Sequence, residues 1–217
     1  RIRDGRSFTT RTVVAKQHGR TIFNLAASFH GKETGFDHQE PMPDVPNPEM
    51  LVSERALARA ISDQMPEKLK AIALKTRPIE TRPINPVNPM KPDIRPAKRM
   101  IWYRATRQLS DDEALHRYLL AYISDFNFLA VALQPHGVSW MSPGIRMASL
   151  DHAIWFHRPF RLDQWLLHVV ESPSAAGGRG LVRGHIYSED GRLIATTAQE
   201  GVIRMKHWLK DDVRKPM

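Results

Sequence analysis

Asp125 is the residue whose surroundings sit worst with a passive role. It lies among Ile123, Phe126 and Phe128, where a carboxylate is costly unless paired, hydrated or used. On an apolar helix face, desolvation would raise its pKa and fit it to act as a general base. The ordinary alternative for an isolated helical Asp is a cap or a salt bridge. Asn127, two residues on, is rotated by about 200° on a helix and faces away. A second group, Asp151-His152 with His157, offers an acid–base pair or a two-histidine metal site. On a strand, His152 and His157 fall on opposite faces, which argues against shared ligation unless a bulge intervenes. A structural role is the preferred reading of both histidines.

Asp125 has to be placed by the stretch over residues 111–133, DDEALHRYLLAYISDFNFLAVAL. Ser110-Asp111-Asp112-Glu113 supplies a capping side chain and an acidic first turn. Leu115, Leu119, Tyr122, Ile123, Phe126 and Ala130 recur at three- and four-residue steps, and Gln134-Pro135-His136-Gly137 ends the run. One long helix with a continuous apolar face is expected here. Such a helix needs a wrapper, and strand-like runs stand on either side of it. Before it come a hairpin over residues 1–30 with a turn at His18-Gly19-Arg20, and a proline-rich linker over 31–52. A short helix within 53–74, ended or bent by Pro66, follows. An edge strand and the run KRMIWYRATRQL complete that half. After the helix come IRMASLDHAIWFHRP, DQWLLHVVESPSAA, GRGLVRGHIYSEDG and RLIATTAQEGVIRM, four strand-like runs separated by turns. The layout is α+β, one long helix against an antiparallel sheet.

The chain has 217 residues and a formal charge of +9. Its basic residues are scattered rather than gathered into a nucleic-acid reader, so a small polyanion is the better partner. There is no cysteine, which excludes disulfides and thiol chemistry and favours the cytoplasm. No apolar run approaches the length of a membrane span. The final residues, Lys215-Pro216-Met217, are not a peroxisomal address.

The chain also repeats itself. RDGRSFTTRTVVAKQHGRTIFNLAASFH lies over GGRGLVRGHIYSEDGRLIATTAQEGVI without a gap, His18-Gly19-Arg20 falling on Asp190-Gly191-Arg192 and Arg11 on Arg183. A duplicated β-unit is expected, with the early part of its first copy missing.

YISDFNFLAVALQPHG, MASLDHAIWFHRPF and DGRLIATTAQEGVIR together resemble the acyl-CoA thioesterase II family, the double-hotdog thioesterases. The resemblance extends over essentially the whole chain. It implies two hotdog folds in one chain, each a long helix wrapped by a curved antiparallel sheet. Here it implies residues 1–30 as the last hairpin of a truncated first hotdog, 31–76 as a linker with a short helix, and 77–217 as a complete second hotdog. The implied activity is hydrolysis of fatty acyl-CoA to free fatty acid and coenzyme A. The family's Asp, Thr and Gln orient a water molecule. The aspartate carries over to Asp125 and the glutamine to Gln199, while Ser149 stands at the threonine position, keeping the hydroxyl but losing the methyl that fixes its rotamer.

Without a cysteine or a GxSxG elbow, thioester hydrolysis must use water directly or a carboxylate nucleophile. Asp125 would be the base, with Gln199 and Ser149 holding the water and backbone N–H groups meeting the oxyanion. The resemblance implies no metal or redox cofactor. Arg158, Arg179 and Arg183 are candidates to meet coenzyme A phosphates. Phe126, Phe128, Leu129 and Met147 are candidates to line an acyl tunnel, with core packing the commoner role for such residues. A homo-oligomer is expected, because hotdog sheets have exposed edges. Two other readings stay open: an acyl-CoA-binding protein without turnover, and a hotdog-type hydratase using Asp151 and His152.

Overall fold

The computed structural model describes residues 3–206, which fall into two units, one ending at His38 and one beginning at Gln39. The first is a three-stranded antiparallel sheet of β1 (Arg3–Asp4), β2 (Phe8–Gln17) and β3 (Arg20–His30). Gln17 pairs with Arg20, so His18 and Gly19 alone make the turn, with φ of 49° and 76°. Two consecutive positive φ values are what a tight hairpin matching the strand twist requires, and glycine supplies one without strain. Among the described residues this unit contains no helix.

The second unit is built on seven antiparallel strands. They are β4 (Ile79–Pro83), β5 (Lys98–Ala105), β6 (Ile145–Ser149), β7 (Ala153–Phe156), β8 (Leu166–Ala176), β9 (Arg179–Ser188) and β10 (Leu193–Met205). The order is β4-β5-β8-β9-β10-β6, with β7 also on β10. Two short helices, α1 (Glu54–Ala60) and α2 (Glu67–Leu74), precede the sheet, and α3 (Glu113–Ile123) packs on it. Leu120 and Ile123 of α3 are buried among Ile101, Tyr103, Leu166, Ile186 and Ile194. From Ala195 to Ile203 alternate residues of β10 are buried, the period of two that a strand with one covered face must show.

The long helix expected over 111–133 is corrected at both ends. The α3 helix begins at Glu113, with the Asp112 carboxylate accepting from the Ala114 N–H at 2.9 Å, and stops at Ile123. Asn127 then takes a left-handed φ of 55°, which no α-helix tolerates. The following segment, Leu129–His136, winds as tighter 3-10 turns. The buried edge of α3 is also displaced from the predicted stripe. His116, Leu120 and Ile123 are the buried residues of the helix, while Tyr122 is 61% exposed.

The 3-10 segment lies close against the sheet and buries Leu129, Val131, Ala132 and Leu133 with Val170, Val182 and Ile203. Gly201 makes that approach possible, since a Cβ there would collide with Leu129. Residues 39–52, read from sequence as linker, are held on the second unit. The Gln39 side chain donates to the Gly191 carbonyl at 2.9 Å and accepts from the Leu193 N–H at 3.0 Å. Trp102 Nε1 donates to the Pro46 carbonyl at 3.1 Å, and Met42, Val45 and Leu51 pack beside Trp102 and Trp165. No helix among the described residues is long and apolar enough to cross a membrane. Lys215-Pro216-Met217 lies outside the described residues.

Candidate active site

The run expected as one strand over IRMASLDHAIWFHRP is two strands separated by an irregularity. Ser149 pairs with Gly201 and Ala153 with Ala198, so residues 150–152 stand opposite only Gln199 and Glu200. One extra residue is the signature of a bulge, and a bulge re-aims side chains. The irregularity is held by backbone bonds, Leu150 N–H to the Glu200 carbonyl at 2.9 Å, and by the Asp151 carboxylate accepting from the Glu200 N–H at 2.8 Å. In an unbroken strand Ser149 and His152 would face opposite ways. Here both reach Gln199.

Gln199 is 1% exposed on the covered face of β10. Its Nε2 donates to Ser149 Oγ at 2.5 Å, and its Oε1 lies 3.3 Å from His152 Nδ1. His152 Nε2 in turn lies 2.8 Å from Ser124 Oγ, a fully buried hydroxyl that also meets the Ala121 carbonyl at 3.0 Å. Four side chains from the α3 terminus, the bulge and β10 therefore form one continuous array. Its outer end is Ser149, which is exposed.

Asp125 is corrected in its setting. It sits in the turn after α3 and is exposed, not enclosed on an apolar helix face. The cause is the early helix end: with Ser124 turned inward to His152, the next side chain points out. Among the described residues Asp125 makes no hydrogen bond to Ser149 or Gln199, and joins them only through its neighbour Ser124 and His152. It lines a cleft of about 520 Å³ with Lys75, Arg77, Tyr122, Phe126 and Asn127.

The remaining candidates are placed as follows. His157 Nε2 lies 2.8 Å from Thr196 Oγ1, on the other face of β10 from Gln199, so the two histidines do not converge. Asp151 is engaged by the backbone and His152 by Gln199 and Ser124, so they form no mutual acid–base pair. Arg179 donates to Glu200 at 2.9 Å and Arg183 to Glu171 at 2.6 Å, while Arg158 donates to the Leu193 carbonyl at 2.7 Å. Phe128 and Leu129 are buried in the core, and Phe126 and Met147 are half-buried beside it. Ser124 was missed in the sequence; a hydroxyl at the end of a greasy helix, immediately before the suspect Asp, was the available signal. His168 was missed too. It is enclosed between Phe128, stacked at 5.3 Å, the edge of Tyr103 and Thr197 Oγ1 at 3.2 Å. Burial foremost, then the charges of Arg99, His152 and His185, pushes its pKa down to about 3.

A helix packed on a curved antiparallel sheet of this strand order defines a hotdog-type α+β protein. A hot-dog-fold protein from Alicyclobacillus acidocaldarius superimposes on it with a TM-score of 0.69 at 20% identity, a likeness of fold. Residues 70–202 match the acyl-CoA thioesterase family. The chain is 42% identical over 203 residues to acyl-CoA thioesterase 2 of Haemophilus influenzae, covering 94% of this chain and 71% of that protein. It is 43% identical to human acyl-coenzyme A thioesterase 8, over 95% of this chain and 66% of that one. The crystal structure of acyl-CoA thioesterase II TesB2 from Mycobacterium marinum superimposes with a TM-score of 0.74 at 37% identity, over 94% of this chain and 72% of that one. The chain belongs to the acyl-CoA thioesterase family.

Proposed function

We propose that this chain hydrolyses fatty acyl-CoA thioesters to free acid and coenzyme A through a water molecule that Asp125, Ser149 and Gln199 act on together. The observation that carries the reading is the contact of Gln199 with Ser149 at 2.5 Å, a buried amide holding an exposed hydroxyl. An amide and a hydroxyl cannot remove a proton at neutral pH, but they fix a water's orientation and so its lone pair. A carboxylate supplies the base. The water oxygen attacks the thioester carbonyl as Asp125 takes its proton. The tetrahedral intermediate then expels the thiolate of coenzyme A, which recovers that proton. The cleft beside Asp125 is of the size that takes a small-molecule substrate.

The test is release of free thiol from palmitoyl-CoA and decanoyl-CoA by the chain and by Asp125→Asn. A fall of about a hundredfold or more in the variant is expected for loss of a general base. No release by the parent while acyl-CoA still binds would overturn the reading in favour of an acyl-CoA-binding protein. The same proposal places the reaction in the cytoplasm and in a homo-oligomer; light scattering that returns a monomer mass removes the second.

A further inference from the structure

Coenzyme A carries its charge away from the sulfur, on a diphosphate and a ribose phosphate joined to the thioester by an uncharged arm. The arginines whose place in the sequence suggested phosphate contacts are engaged elsewhere: Arg179 donates to Glu200 and Arg183 to Glu171, while Arg158 donates to the Leu193 carbonyl. On β4 and β5, Arg82 pairs with Glu49 and Glu80, Arg99 with Glu54, and Arg104 with Glu80. Lys75 and Arg77 differ. Both are exposed and line the cleft that holds Asp125, and among the described residues neither has a carboxylate within ion-pair distance. The Arg77 guanidinium stands over the Phe126 ring, 6.0 Å from its centroid.

The local chain fixes where these two cations stand. Helix α2 ends at Leu74, and Lys75 leaves it in an extended conformation, with φ of -57° and ψ of 134°. Pro78 disfavours a helical Arg77 and keeps it extended, and in extended chain residues two apart point the same way. Behind them the segment is anchored. The Pro78 carbonyl accepts from the Thr106 N–H at 2.9 Å and from the Thr106 hydroxyl at 3.2 Å, and Ile79 is buried with Leu120 and Ile123 of α3. We infer that Lys75 and Arg77 are the phosphate-binding residues of this site, taking the diphosphate of coenzyme A and so anchoring the substrate while Asp125 works at the thioester. An arginine grips two phosphate oxygens with its planar fork, and a lysine adds a mobile point charge. Tyr122 and Phe126, edge to face at 4.9 Å, give the same cleft an apolar wall for the uncharged arm. The diphosphate is preferred to the ribose phosphate because it stands nearer the sulfur, and these cations share one cleft with Asp125. The inference rests on the thioesterase reading for its kinetic consequence and on the cleft alone for binding.

The test sets the full chain beside the double variant Lys75→Ala/Arg77→Ala on three decanoyl thioesters. These are the ester of coenzyme A, that of dephospho-coenzyme A, which lacks the ribose phosphate, and that of N-acetylcysteamine, which has no phosphate. With the coenzyme A ester, kcat/KM should fall about tenfold or more in the variant, the scale of losing hydrogen bonds to a charged group, with kcat little changed. The same loss is expected with the dephospho ester, and none with the N-acetylcysteamine ester. Equal losses on all three esters, or a loss on none, overturn the proposal. A loss confined to the full coenzyme A ester overturns the diphosphate assignment. A parent that releases no thiol from any ester removes the thioesterase reading, and calorimetric titration with coenzyme A then decides. Binding weakened about tenfold in the variant upholds the two cations; binding that the variant leaves unchanged, or that the parent lacks, overturns them.

Discussion

The hairpin β2–β3 and the hairpin β9–β10 carry the same pattern of residues, yet one is open to solvent and the other forms the floor of a core. Laid together without a gap, Val14 stands with Ile186 and Ile22 with Ile194. Val14 is 49% and Ile22 62% exposed, whereas Ile186 and Ile194 are both fully buried. Each pair of strands reaches its turn through a glycine of positive φ, Gly19 and Gly191. Pairing is thus specified locally, by β-branched residues and a turn. Burial is specified elsewhere, by α3 and the 3-10 segment, which arrive from a different part of the chain. The site follows burial: Gln199 stands where the first hairpin has Ala27.

The comparison can be broken most forcefully at its buried member. Ile194→Ala should destabilise the second unit by about 2–5 kcal/mol, the usual cost of deleting a core aliphatic side chain, read as a lowered denaturant midpoint. Gly201→Ala comes next, at about 1–3 kcal/mol, because the added methyl drives Leu129 off the sheet; the Phe29 at the matching place in β3 is 57% exposed and meets no such obstacle. Acid separates the regions in another way. With a folded pKa of about 3 against the 6.5 of a free imidazole, His168 is neutral in the native state and charges on unfolding. Stability is full above pH 6.5 and falls as pH drops towards 3. The slope approaches about 1.4 kcal/mol per pH unit in that window, and His168→Phe should flatten it in pH-resolved melts. The smallest effect belongs to Ile22→Ala, expected within about 0.5 kcal/mol; a loss comparable to Ile194→Ala would mean that the two hairpins are packed alike after all.

The strands and turns were legible because alternation and glycine report on the chain's nearest neighbours. The start of α3 was legible for the same reason, in Asp112 and Glu113. Its end was not. FLAVAL has helical spacing, and what winds it as 3-10 turns is close packing that Gly201 permits from some seventy residues away. The proline-rich stretch read as linker gave no sign of Gln39 or Pro46 docking, since both bind through a few isolated polar contacts without a pattern. Within the site, Ser149 and Gln199 were named through family resemblance, and no spacing rule would have paired them. The exposure of Asp125 and the bridge from His152 to Ser124 depend on where a helix stops and where a strand gains a residue. Both are boundary events, and boundaries are what periodicity marks least well.

The extra residue between Ser149 and Ala153 also acts as a ratchet tooth for the sheet. A strand that pairs regularly along its length can slide by two positions and keep its apolar face inward. The strip formed by β6 and β7 cannot, because its surplus residue fits only opposite Gln199 and Glu200. Any slipped alignment would carry Ser149 and His152 away from the amide together. The edge strand is therefore correctly seated and its reactive side chains correctly aimed by the same single fitting, and a misaligned chain would declare itself by losing both at once.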